Sequence, residues 1–400
     1  MRSKVLHLPN SHALNRVEES LRLRIIRAQT ELLDDEFRHA GELCSRAFSD
    51  LKIAVKPPAE LRTQTAAQLG DLPAKDLQRV FSKTLAKNGV PPQAITMQAT
   101  TLTHRVQLLR AFRDPDQVIS DTCQKVSEIV AGFPKSADDI RCGRNPGDVL
   151  DPYIFGAAQF LMCAGDFEGT IAATVSHKVL MMIEGLLGHL HEDVIGAMRG
   201  NFRTPEPRGV DQETLDPLTN PFPGADIMQP PLSKGRPLRF HQVKSKTGSA
   251  KGGDGRRLGV QLTELQNLYG GEIYYDALIG NTLRGHRSMA GVQRAAPNVV
   301  VLVGDAAFRE LTGCAVGPQL LLRLYQSAFE VAAQQSGYRI QNIVATIFAA
   351  FRERADELQE GFLESLLHDA INGPTSEQDS RNFVPARHRK RGAEQSSLPD

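Results

Sequence analysis

The chain has 400 residues, 41% hydrophobic and 23% charged, ordinary values for a globular protein with two or three domains and a sizeable core. A net charge of +1 excludes a uniformly basic or acidic surface, so any nucleic-acid contact must be local. Apolar runs such as Val179 to Ile183 are far too short to span a bilayer, no apolar core follows Met1-Arg2-Ser3-Lys4, and Cys44, Cys123, Cys142, Cys163 and Cys314 never pair as Cys-x-x-Cys, so we expect a reduced, cytoplasmic chain with no membrane partner.

Residues 13 to 50 carry Leu14, Val17, Leu21, Ile25, Leu32 and Phe37 among many charges, close to helical spacing. Residues 59 to 132 continue in helical style between breaks at Pro57-Pro58, Pro73, Pro91-Pro92 and Pro134. Residues 1–170 therefore read as a mainly helical N-terminal domain, more scaffold than clamp. From Thr174 to Met198 the apolar residues Leu180, Ile183, Leu187, Leu190, Val194 and Met198 recur every three or four positions, a helix fit to pack on a sheet. Glu184 sits beside that stripe, where an acid needs a partner. His189 and His191 are two apart, point to different helix faces and do not make a zinc pair.

After a strand and a long loop over residues 199 to 223 comes Gly224-Ala225-Asp226-Ile227-Met228, then three prolines and a glycine in Gln229 to Pro237, then Phe240 to Lys246 of strand composition. This is a hairpin signal. Alternation puts Gln242 and Lys244 on one face and Val243 on the other, so Asp226, Gln242 and Lys244 can converge on one spot. A carboxylate, an amide oxygen and an ammonium together suit a hard cation, its water and a phosphate. The glycine-rich stretch Thr247 to Arg257 ends in neither a phosphate-loop nor a dinucleotide fingerprint. Between Lys234 and Arg257 stand eight Lys or Arg against one acid, Asp254, a focused anion site with salt-dependent affinity for a phosphate backbone. Within it, Lys246, Lys251, Arg256 and Arg257 are candidate DNA contacts.

A helix follows to Tyr269, then a strand at Glu272 to Ile279, then a polar loop whose Asn281, Arg284, His286 and Arg287 carry the groups used to read base edges. Val299 to Val303 reads as a strand buried on both faces, Gly317 to Gln335 and Ile340 to Leu367 as helices, and 372–400 as a disordered basic tail.

Asp226 before one strand and Gln242-Val243-Lys244 on the next resemble the PD-(D/E)XK nuclease superfamily, in particular its type II restriction endonucleases. Ala225 replaces the motif's Pro and Gln242 its second acid; Gln-x-Lys also resembles the Mrr-like branch. The order helix, three strands, helix, strand over residues 174 to 303 is the one that core requires. The resemblance implies an α/β fold: a PD-(D/E)XK (restriction-endonuclease-like) core of a mixed sheet flanked by helices, with C-terminal helices, in 171–371. It implies Mg2+ held by Asp226, the Gln242 amide oxygen and the Val243 carbonyl, Lys244 as the catalytic ammonium, and Glu184, Asp254 or Glu264 as an added carboxylate. The implied reaction is site-specific hydrolysis of double-stranded DNA leaving 5′-phosphate ends. The implied partners are a second copy, as a homodimer, and a DNA methyltransferase acting on the same site. A modification-dependent or repair nuclease of the same fold, or a non-catalytic DNA-binding protein, are the alternatives.

Overall fold

The computed structural model describes residues 8–141, 152–206, 214–232, 235–246, 254–280, 287–336 and 340–358, together with residues 363 and 367. Helices α1 (Glu19–Thr30), α2 (Leu33–Glu36), α3 (Ala40–Asp50), α4 (Ala66–Gly70), α5 (Ala74–Lys87), α6 (Pro92–Ala111) and α7 (Pro115–Arg141) come first, then α8 (Pro152–Leu161) and α9 (Phe167–Gly196). Their limits follow local chemistry. At α4, Thr65 Oγ1 accepts the Gln68 N–H at 3.1 Å while Gln68 Oε1 accepts the Thr65 N–H at 2.9 Å, a reciprocal capping box. Helix α6 opens on Pro92, whose missing N–H would have had no helical acceptor there.

Strands β1 (Phe202–Arg203), β2 (Ile227–Gln229) and β3 (Arg239–Lys246) are successively antiparallel. Helix α10 (Asp254–Tyr269) returns the chain to β4 (Glu272–Ile279), and α11 (Arg287–Ala295) returns it to β5 (Val300–Val303), both strands parallel to β3. Helices α12 (Asp305–Thr312), α13 (Gly317–Ser336) and α14 (Ile340–Leu358) follow. The described residues are thus mixed α/β, mostly helical, around a five-stranded mixed sheet in the order β1-β2-β3-β4-β5. The hairpin pairs Ile227 with His241 and Gln229 with Arg239, and β4 spans the residues expected of it. One expectation is corrected: β5 is not buried on both faces. It pairs only with β4 among the described residues, at the sheet edge, and Val300 is 39% exposed. A β-branched run reports strand propensity, not the number of neighbouring strands. No helix among the described residues is long and apolar enough to cross a membrane.

By contact, the chain groups into two compact units. One comprises Met1–Gln124 with Leu187–Glu330, the other Lys125–Leu186 with Val331–Asp400. The division expected near residue 170 falls inside α9, and the tail from residue 372 lies outside the described residues. Two apolar clusters of the first unit bear on the site. Leu43, Phe48, Leu77, Phe81 and Leu102 knit the early helices together. The second core lies on the sheet, where Phe222, Phe240 and Tyr269 meet with ring centroids 5.6 to 5.9 Å apart. Leu14, Val17, Leu21 and Ile25 belong to this second core, so the first amphipathic stripe packs with the sheet and not with the helices that follow it. Gln29 Nε2 fastens α1 there by donating to the Pro231 carbonyl at 2.7 Å.

Candidate active site

Strand β2 is three residues long and β3 eight, so β3 runs on past its neighbour. At that fork stands Asp226. Its N–H donates to the His241 carbonyl at 2.8 Å, and its own carbonyl accepts the Thr204 N–H at 3.0 Å. Because the backbone groups of alternate strand residues point to the same side, the N–H and C=O of Val243 also point toward the side that β2 has vacated. The Val243 N–H is satisfied there by Asp226 Oδ2 at 2.8 Å. The Gln242 amide nitrogen donates to that same oxygen and lies 3.5 Å from the Val243 carbonyl oxygen. The approach to Asp226 depends on Gly224, whose φ is +77° and which lies under Gln261; a Cβ would stand 2.9 Å from that residue's own Cβ. A side chain at 224 would be strained and would push the loop off α10.

Burial raises the Asp226 carboxyl from its ordinary 3.8 to about 7; the charge of Glu192 adds to the rise, while Lys244, the Val243 N–H and Arg203 oppose it. Two carboxylates drawn together out of water are an arrangement that a cation relieves. Glu192 lies on α9 and is held by Arg203 Nη2 at 2.9 Å, while the other arm of Arg203 binds Asp193. The helix carboxylate that acts on Asp226 is therefore Glu192. Glu184, the residue expected in that role, lies exposed two turns earlier on α9, within the second unit. Glu264 is exposed on α10, and Asp254 is its first residue.

A second polar pair, unforeseen in the sequence, sits one residue away. His241 Nδ1 meets Asp276 Oδ2 at 2.9 Å with both side chains fully buried, and the imidazole stacks on Tyr274 at 4.6 Å. Burial raises the Asp276 carboxyl, and His241 counters it. Since side chains alternate along β3, this pair faces away from Gln242 and Lys244. No pattern in the sequence distinguished His241 from any other strand residue.

The basic run does not form one patch. Arg239 is bound by Glu272 at 2.9 Å and Glu310 at 2.6 Å, and Arg236 donates to the Gly200 carbonyl at 3.0 Å. Burial lowers the Arg236 guanidinium to about 10. These two arginines lie at the start of β3 and serve the fold, a correction to the reading of a continuous cluster. Arg256 and Arg257 are exposed in the first turn of α10, beyond the other end of β3. That turn adjoins the first turn of α11, with Gly255 so close that a Cβ would stand 2.0 Å from the Ser288 carbonyl oxygen. Arg256, Arg257 and the start of α11 thus lie beyond the carboxyl ends of the parallel strands β3 and β4, where α/β sheets hold their ligands. Lys246 ends β3 and Arg287 begins α11, their side chains outside the described residues, as are Lys251, Asn281, Arg284 and His286 altogether.

Among the described residues no three His, Cys, Asp or Glu side chains gather as a metal cluster. The donor set at the fork is instead Asp226, the Gln242 amide, the Val243 carbonyl and, near them, Glu192. With only oxygen donors and few carboxylates it suits magnesium, which keeps several waters, and it lacks the nitrogen and sulfur ligands of zinc. Gln242 presents its nitrogen to Asp226; a half-turn of the amide presents its oxygen instead. No protein-family model matches this chain, and no curated protein matches it.

Proposed function

We propose that the protein is a magnesium-dependent nuclease that cuts double-stranded DNA at specific sites, of the type II restriction kind, on a PD-(D/E)XK core. The observation that carries this reading is the fork itself: Asp226 capping the Val243 N–H where β2 leaves β3, with the Gln242 amide on the same oxygen. The order α9, β1, β2, β3, α10, β4 supports it too, being the element order of that core.

Asp226, the Gln242 amide oxygen and the Val243 carbonyl would hold the ion. When bound, magnesium supplies Lewis acidity toward a phosphate oxygen and toward water. Lys244 neutralises charge growing on the phosphate and orients the attacking water. Attack at phosphorus breaks the bond to O3′, leaving a 5′-phosphate and a 3′-hydroxyl. Arg256 and Arg257 hold neighbouring phosphates without reading sequence. In this reading the enzyme works with a methyltransferase that protects the host's copies of the site, and it acts as a homodimer, whose symmetry matches a symmetric site.

The test is a plasmid digest with magnesium, without it, and with the Asp226→Ala protein. Discrete fragments that need magnesium and vanish with Asp226→Ala, while DNA binding persists, are the expected result. Fragments only from methylated DNA would favour a modification-dependent enzyme. Binding without any cleavage would leave a DNA-binding protein and remove the catalytic reading.

A further inference from the structure

One polar pair in the sheet has no part in the chemistry of the fork. His241 Nδ1 and Asp276 Oδ2 stand 2.9 Å apart with both side chains fully buried, and no protein group among the described residues meets His241 Nε2 or Asp276 Oδ1. Leucines in these two places would leave the fold about as stable or more so, because a buried polar pair recovers little beyond its own desolvation. A pair kept in spite of that, next to Gln242, points to a use other than stability. Its place in the sheet supplies one. Strand β4 sets Tyr274 opposite His241 and Asp276 opposite Val243. The imidazole stacks on Tyr274 with centroids 4.6 Å apart, while its Nδ1 reaches diagonally to Asp276.

We propose that His241 and Asp276 are positioning residues, which lock β3 in one register on β4 and thereby place the two backbone groups that grip Asp226. Those groups are the His241 carbonyl, which accepts the Asp226 N–H at 2.8 Å, and the Val243 N–H, which donates to Asp226 Oδ2 at 2.8 Å. Strand β2 pairs with β3 at just three residues, so the placement of Asp226 follows β3. Alternation alone does not fix β3. A slip of one residue would turn Phe240 out of the core, but a slip of two returns every side chain to its own face. The pair forbids the slip of two. Moved toward Glu272, His241 would leave the Asp276 carboxyl alone in the interior; moved toward Asp276, it would lose its stack on Tyr274. Two residues of strand are about 7 Å, and at a reacting centre a misplacement of about 1 Å already costs roughly a hundredfold in rate.

The test sets the double variant His241→Leu with Asp276→Leu, which removes the polar pair, beside Asp276→Asn, which keeps an oxygen for Nδ1. The double variant should melt at or above the wild-type temperature, bind DNA as before, and cleave about a hundredfold more slowly at saturating DNA. Amide exchange at Asp226 and Val243 should quicken about tenfold or more, while Phe81 and Leu102 in the helical core keep wild-type protection. Asp276→Asn should restore most of the cleavage rate and the slow exchange. A pair that serves stability alone would instead lower the melting temperature and quicken exchange throughout, which overturns the assignment. Wild-type cleavage together with wild-type exchange in the double variant overturns it too. Should the double variant fail to fold, Asp276→Leu alone leaves a neutral imidazole, and the same readings apply to it. The effect on cleavage rests on the nuclease reading of the fork, yet the two fail apart: a wild type that never cuts removes the nuclease, while exchange at Asp226 and Val243 still decides whether the pair holds them.

Discussion

Replacing Asp226 by Asn should make the metal-free protein more stable, increasingly so as pH rises from the carboxyl's ordinary value of 3.8 to its raised value of about 7. The rise from 3.8 to about 7 means that holding Asp226 ionised in the fold costs about 4 kcal/mol. The sign follows from linkage. A carboxyl whose folded value is raised stabilises the fold while protonated, fully below its unfolded value, and that contribution is lost as pH climbs through 7. Asparagine keeps an oxygen where Oδ2 stands, and it still accepts from both the Val243 N–H and the Gln242 amide nitrogen, so little hydrogen bonding is sacrificed. We expect a gain of about 2 to 4 kcal/mol at pH 8, and about a third of that at pH 5, because only the interval from 3.8 to 5 then contributes. Thermal denaturation of both proteins at the two pH values measures this, as a difference of several degrees at pH 8. Adding magnesium at pH 8 should raise the wild type and leave the Asn variant unchanged. A destabilised variant at pH 8, or an equal shift at both pH values, would refute the reasoning about the fork.

The other expectations concern cleavage and binding. Glu192→Gln removes the like charge beside Asp226 and a carboxylate from the site, so cleavage should require severalfold more magnesium, whereas Glu184→Gln should follow the wild-type titration. Gln242→Glu should lower the magnesium needed and Gln242→Ala should raise it; curves that overlay wild type would remove Gln242 from the ligand set. Arg256→Gln with Arg257→Gln should weaken DNA binding for all sequences and flatten the salt slope by about one unit or more, measured by fluorescence anisotropy across a salt series. Arg239→Gln should leave that slope alone and lower the melting temperature, because its partners are Glu272 and Glu310.

What could be read in advance was local. The prolines and glycine of Gln229 to Pro237 and the aromatic, β-branched Glu272 to Ile279 announced the hairpin and β4, because turn chemistry and strand propensity act over a few residues. Partners across the chain were not legible. The stripe from Leu14 to Ile25 announces a helix with an apolar face but does not name the surface it covers, and that surface proved to be the sheet. Asp226 and Gln242 meet side chain to side chain and Lys244 acts on Asp226 through its charge, yet which acid of α9 stands behind them depends on how far the helix slides along the sheet. Glu184 and Glu192 differ by two turns, and periodicity cannot choose between them. Arg236 and Arg239 look in sequence like part of an anion site; only the fold reveals the carboxylates and carbonyl that claim them.

The seating of α1 on the sheet also dictates an order of events during synthesis. Leu14, Val17, Leu21 and Ile25 are made first, but Phe240, Leu262 and Ile273, with which they form one core, follow more than two hundred residues later. At roughly 5 to 20 residues per second, the nascent chain must carry an exposed apolar stripe for ten seconds or more before its cover exists. Contacts so distant in sequence slow folding, and the early helices, whose own core is local, can condense while α1 waits. Deleting residues 1–30 would spare that helical core but uncover part of the apolar surface that α1 shares with α10 and α11 on the sheet. A truncated chain should reach the ribosome's exit folded at its front and aggregate through its middle.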